Sequence, residues 1–139
     1  MKFEKQMVVA HRGARGLVKY ENTMEAFIKA VEVGADCIEI DIHKTKDNKI
    51  VVFHDHGIHG KLVKELTYEE LLNEAGYPIP TLEETLEYVK GKILIDIEFK
   101  ESGYVDEALD LITKYLDYNE FFIRSFLDDV IVDAKAYNK

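Results

Sequence analysis

The stretch CIEIDIHKTKDNKIVVFHD, Cys37 to Asp55, sets two acids inside what reads as a buried strand: Glu39 and Asp41 alternate with Ile38, Ile40 and Ile42. Residues i and i+2 of a strand point the same way, so the two carboxylates share one face about 6.6 Å apart along the chain, and the isoleucines fill the other. Ionised carboxylates are almost never left unpaired in a core, because lost hydration costs on the order of several kcal/mol. A cation is therefore expected beside them. A second apolar run, Ile50 to Phe53, ends on His54 and Asp55.

Such a strand needs a core around it, and 139 residues with 47% hydrophobic content suit a single domain, 1–139. The only prolines are Pro78 and Pro80, so no linker divides the chain. A net charge of −9, from 27 acids against 18 bases, argues against nucleic acid or an anionic membrane surface as partner. No run approaches the roughly 18 apolar residues of a membrane span, and MKFEKQMVVA is charged where a signal peptide would be apolar. A cytoplasmic location is expected. Cys37 is the only cysteine, which excludes an intrachain disulfide and suggests a buried, inert thiol.

The remaining elements follow from periodicity and caps. MVVAH predicts a strand from about Gln6 to Ala10, followed by the flexible loop GARG. ENTMEAFIKAVEVGA predicts a helix with Asn22 or Thr23 as N-cap, Gly34 as stop, and Met24, Phe27, Ile28, Val31 and Ala35 on one face. Capping boxes at Thr67/Glu70 and Thr81/Glu84 start two more helices, with Gly91 as stop for the second. KILIDIEFK is again a buried strand, in which Asp96, Glu98 and Lys100 alternate with apolar residues. VDEALDLITKYL, EFFIRSF and LDDVIVDAKAYNK read as helix, strand and helix. The order β, α, β, β, α, α, β, α, β, α favours an α/β architecture with a largely parallel sheet.

In such folds sites are assembled at the carboxyl ends of strands, where Glu39, Asp41 and Glu98 would converge. Oxygen-only ligation is the preference of hard divalent cations such as Mg²⁺ or Ca²⁺. His11-Arg12 follows the first strand and His54-Asp55 the third. A cation, two histidines, an arginine and Lys100 suit a phosphate ester: charge neutralises the phosphoryl oxygens while one imidazole takes a proton and the other gives one.

Taken in order, VVAHRGARG, ENTMEAF, GADCIEIDIHKTKDNKIVVFHD, LTYEEL, IPTLEE and IDIEFK resemble the glycerophosphodiester phosphodiesterase family, members of the phosphatidylinositol-phospholipase-C-like phosphodiesterase barrels. The likeness runs from about Val8 to Lys100, with a weaker echo in IRSF, Ile123 to Phe126. It implies Glu39, Asp41 and Glu98 as ligands of a divalent ion, Mg²⁺ or Ca²⁺, His11 and His54 as general acid and base in an order left open, and Arg12 and Lys100 as phosphate holders. It also implies hydrolysis of a small glycerophosphodiester, such as glycerophosphocholine or glycerophosphoethanolamine, to glycerol 3-phosphate and an alcohol.

The implied fold is a TIM-type (β/α)₈ barrel, which usually takes about 250 residues. Five strand signals predict about the first five β/α units of one. An open barrel exposes two edges, so self-association is expected, and a catalytically inactive half-barrel serving as an assembly or binding module is the alternative function. Glu21 is expected to orient the His11-Arg12-Gly13 loop and Ser125 to lie at the rim. Asp55 is expected to be structural, and the role of Asp96 is open. His43, His56 and His59 are expected to be exposed.

Overall fold

The structure, a computed structural model, describes residues 7–13 and 15–137. Gln6, the expected first residue of the first strand, lies outside them. In chain order the elements are β1 (Val9–His11), α1 (Met24–Glu32), β2 (Cys37–Lys44), β3 (Ile50–Val52), β4 (Gly57–Ile58), β5 (Lys61–Leu62), α2 (Tyr68–Ala75), α3 (Leu82–Val89), β6 (Leu94–Phe99), α4 (Val105–Tyr115), β7 (Phe121–Arg124) and α5 (Asp128–Tyr137), with single 3-10 turns at Arg15–Leu17 and Val63–Glu65.

Four strands form a parallel sheet in the order β1-β2-β6-β7. Helices connect each strand to the next, as a parallel sheet requires. All five expected strands are present, but β3 runs antiparallel to the end of β2, with Ile42 opposite Val52 and Lys44 opposite Ile50. The chain therefore carries four parallel β/α units plus a reversed strand. The cause is the short link between β2 and β3, since a parallel crossover needs a dozen or more residues. The link closes instead as a turn, with the Thr45 N–H donating to the Lys49 carbonyl at 2.8 Å and Asn48 in the left-handed region.

The isoleucines of β2 and Ile95, Ile97 and Phe99 of β6 pack with α1, α3, α4 and α5 in the main core. The buried face of α1 is Ala26, Phe27 and Ala30, whereas Ile28 is exposed. That face is rotated from the expected one because small alanines let the helix come close to the loop after β1. A Cβ on Gly13 would lie 2.8 Å from Ala26 Cβ. The excursion after β2 builds a smaller core of its own from Val51, Phe53, Val63, Leu66, Leu71 and Ile79.

Candidate active site

Register brings the acids level with their partners. Glu39 of β2 stands between His11 of β1 and Asp96 of β6, and Asp41 stands beside Glu98, which in turn lies beside Arg124 of β7. Glu39, Asp41 and Glu98 are all buried, and one carboxylate oxygen from each lies within 4.8 Å of the other two.

Cations reach this cluster from two loops. Lys100 Nζ is 2.5 Å from Glu98 Oε2 and 3.5 Å from Asp41 Oδ1. Arg12 Nε is 3.6 Å from Asp41 Oδ2, its N–H donates to Glu39 Oε2 at 3.3 Å, and its guanidinium is held by Glu21 at 2.7 Å. Glu21 thus steadies the loop as expected. Asn22 donates through Nδ2 to Asp41 Oδ2 at 3.1 Å. Burial, then the neighbouring Asp41 charge, pushes the Glu39 carboxyl well above the usual carboxylate range. Burial works to lower the Lys100 ammonium, but Glu98 and Asp41 outweigh it and hold it above its ordinary value.

His11 Nε2 lies 3.1 Å from Glu39 Oε2, with its side chain 56% exposed. His54 Nδ1 lies 2.7 Å from Asp55 Oδ1, and His54 lines a cavity of about 350 Å³ with Arg12, Glu21, Asn22 and Tyr77. The two histidines therefore join the acidic cluster through different members: His11 directly at Glu39, His54 across the cavity shared with Arg12 and Asn22, both of which touch Asp41. The reversed β3 is what returns His54 to this level, because its chain runs back down β2 until the Phe53 N–H meets the Asp41 carbonyl at 2.9 Å.

With all three carboxylates ionised, the two cations would leave an excess of negative charge in a buried place. The oxygen-only donor set fits a divalent ion such as Mg²⁺ or Ca²⁺. Among the described residues three buried polar atoms lack hydrogen-bond partners: Arg12 Nε, a donor, and the acceptors Asn22 Oδ1 and Asp96 Oδ1. Together Arg12 Nε and Asn22 Oδ1 suit a ligand that carries both oxyanion and hydroxyl groups.

Other expectations divide. Asp96 is the ion-pair partner of Arg124, a pairing that sequence reasoning did not reach, although Arg124 lies in the IRSF segment. Ser125 Oγ donates to the Phe99 carbonyl at 2.9 Å. Cys37 is buried, and burial pushes its thiol up to about 11, as an inert cysteine requires. His56 and His59 are exposed as expected, but His43 is fully buried, and this corrects the expectation. It shares the inward-facing alternation of Glu39 and Asp41, and it sits opposite Val51, under the small core of the excursion.

The model of the Glycerophosphoryl diester phosphodiesterase family matches residues 11–130. The chain belongs to that family. A glycerophosphodiester phosphodiesterase of Caldanaerobacter subterraneus subsp. tengcongensis is 36% identical over 152 aligned residues, 94% of this chain and 62% of that protein. Among solved structures, a glycerophosphodiester phosphodiesterase from Agrobacterium tumefaciens superposes with a TM-score of 0.85 at 24% identity, covering 96% of this chain and 63% of that one. A phosphodiesterase from Oleispira antarctica, solved in complex with the product sn-glycerol-3-phosphate, gives a TM-score of 0.80 at 25% identity, covering 94% and 62%. The fold is accordingly that of part of the family's TIM-type barrel, and the chain spans less than two thirds of each of these family relatives. Among the described residues, no helix is long and apolar enough to cross a membrane.

Proposed function

We propose that this site hydrolyses glycerophosphodiesters to glycerol 3-phosphate and an alcohol. The observation that carries the reading is the convergence of Glu39, Asp41 and Glu98 with Arg12 and Lys100 around one buried point. The product named for the Oleispira relative is consistent with it.

The phosphodiester would lie with its anionic oxygens against Arg12 and Lys100, whose charges offset the negative charge that grows as phosphorus is attacked. Mg²⁺ or Ca²⁺ held by Glu39, Asp41 and Glu98 would supply Lewis-acid polarisation of those oxygens. One of His11 and His54 removes a proton from the attacking oxygen, that of water or of the substrate's own glycerol hydroxyl. The other protonates the alkoxide as the phosphorus–oxygen bond to the alcohol breaks. Glu39 beside His11, and Asp55 beside His54, hold the two imidazoles in place.

The test is release of glycerol 3-phosphate from glycerophosphocholine with Mg²⁺ or Ca²⁺ present. Each of His11→Ala and His54→Ala should lower the rate at least about 100-fold, in line with general acid–base contributions. Near wild-type turnover in both variants would overturn the assignment.

A second reading, a non-catalytic assembly module, is favoured by exposed apolar side chains on both outer strands of the sheet, Val9 on β1 and Phe122 on β7, and by Phe126 just beyond, 87% exposed. Self-association through these edges, seen by sedimentation in a folded chain without turnover, would select it.

A further inference from the structure

We propose that His43, His56 and Glu101 form a second cation site, built for a borderline transition ion such as Zn²⁺ and separate from the carboxylate trio. This goes beyond the phosphodiesterase reading and does not depend on it.

One ligand atom from each of the three lies within 4.8 Å of the other two. The decisive detail is the hydrogen-bond arithmetic of His43, which is fully buried. Its Nε2 lies 3.3 Å from the His54 carbonyl oxygen, and its Nδ1 lies 2.7 Å from Glu101 Oε1. A carbonyl only accepts, so Nε2 carries the hydrogen. A neutral imidazole has one N–H, so Nδ1 then presents a lone pair to a carboxylate oxygen, which also has only lone pairs to offer. The contact calls for positive charge between the two atoms, which a second ring proton or a bound cation supplies.

A metal ion does this with three ligands already gathered. Holding the far ring nitrogen on a backbone carbonyl is the usual way of fixing a ligating histidine's tautomer. His56 lies edge-on to His43, with ring centroids 5.3 Å apart, and its exposed position on the loop after β3 gives it room to close in and gives the ion a way in. Two imidazoles and a carboxylate prefer Zn²⁺ over Mg²⁺ or Ca²⁺, whereas the trio of Glu39, Asp41 and Glu98 has the opposite preference. An ion here would tie the end of β2, the loop after β3 and the loop after β6 together, and would brace the backbone of His54.

Zn²⁺ is titrated calorimetrically into the chain held in saturating Mg²⁺, and Co²⁺ is followed by its visible absorption. One equivalent of Zn²⁺ should bind, and should still bind to Glu39→Gln. Losing a ligand in His56→Ala or Glu101→Gln should weaken it by at least about tenfold, since even outer-shell changes cost that much. The Co²⁺ bands should disappear in His56→Ala. Both variants alter side chains that are at least partly exposed, and circular dichroism verifies their fold. Zn²⁺ binding equally tight in both variants, its loss in Glu39→Gln instead, or nitrogen NMR showing His43 protonated on both ring nitrogens in the presence of Zn²⁺ would overturn the proposal.

Discussion

Arg12 and Asn22 both hold left-handed backbone, with φ of 54° and 52°, and the Asn22 N–H donates to the Arg12 carbonyl at 2.9 Å. Each such residue costs about 1–3 kcal/mol unless its surroundings over-determine it. Here they do, because both side chains converge on Asp41. Gly13 completes the device: its φ is 78°, and a Cβ would meet Ala26 Cβ at 2.8 Å and Phe27 Cδ1 at 2.9 Å. Gly13→Ala is expected to destabilise by about 2–5 kcal/mol, adding a left-handed penalty of about 1–2 to an overpacking penalty of about 1–3. A urea titration checks this, and a change under about 1 kcal/mol would mean that α1 yields easily.

At the scale of elements, both capping boxes form, with Thr67 and Thr81 each accepting from the backbone N–H three residues on and Glu70 and Glu84 reaching back. The helices they start are anchored differently. α3 buries Leu82, Leu86 and Val89 in the main core, while α2 buries Leu71 in the small one. Thr81→Ala should lower global stability by about 1 kcal/mol, and Thr67→Ala by less, because a lost cap counts fully only where the helix unfolds with the core. Chemical denaturation of the two variants measures the difference. These helices, and the alternating acids of β2 and β6, were legible because each rests on local chemistry: a cap three residues away, or a side-chain period of two. The direction of β3 depends on the length of a turn, and the apolar run Ile50 to Phe53 says nothing of direction. The burial of His43 depends on what folds over it, and the Asp96–Arg124 pair joins residues 28 apart. The turn length is itself local, since so short a link cannot make a parallel crossover, but the other two have no local signature.

For the whole molecule, Glu39 sets a pH dependence. Its carboxyl is raised, by burial first and Asp41 second, so between the ordinary carboxylate value and the raised one the folded chain binds more protons than the unfolded chain. Stability without a divalent ion therefore falls as pH rises through that window, and its contribution is fully retained below it. Mg²⁺ or Ca²⁺ binding N but not U should restore the loss, so the thermal shift on adding the ion should grow from pH 5 toward pH 8, about the ordinary carboxylate value up to the raised one. Glu39→Gln should flatten the ion-free slope. A thermal shift independent of pH, with the slope unchanged in Glu39→Gln, would show that Glu39 does not carry it.

The reversed strand has a consequence for how this molecule fails. Glu39, Asp41 and Glu98 are fastened to the central ladder, while His54 follows a strand that pairs with the end of β2 and leads into the excursion that has its own small nucleus of apolar residues. The excursion is expected to open at its own free energy, apart from the ladder. With the roles proposed above, a molecule opened there would still hold its ion and anion yet lose proton transfer at His54, so occupancy and competence would come apart.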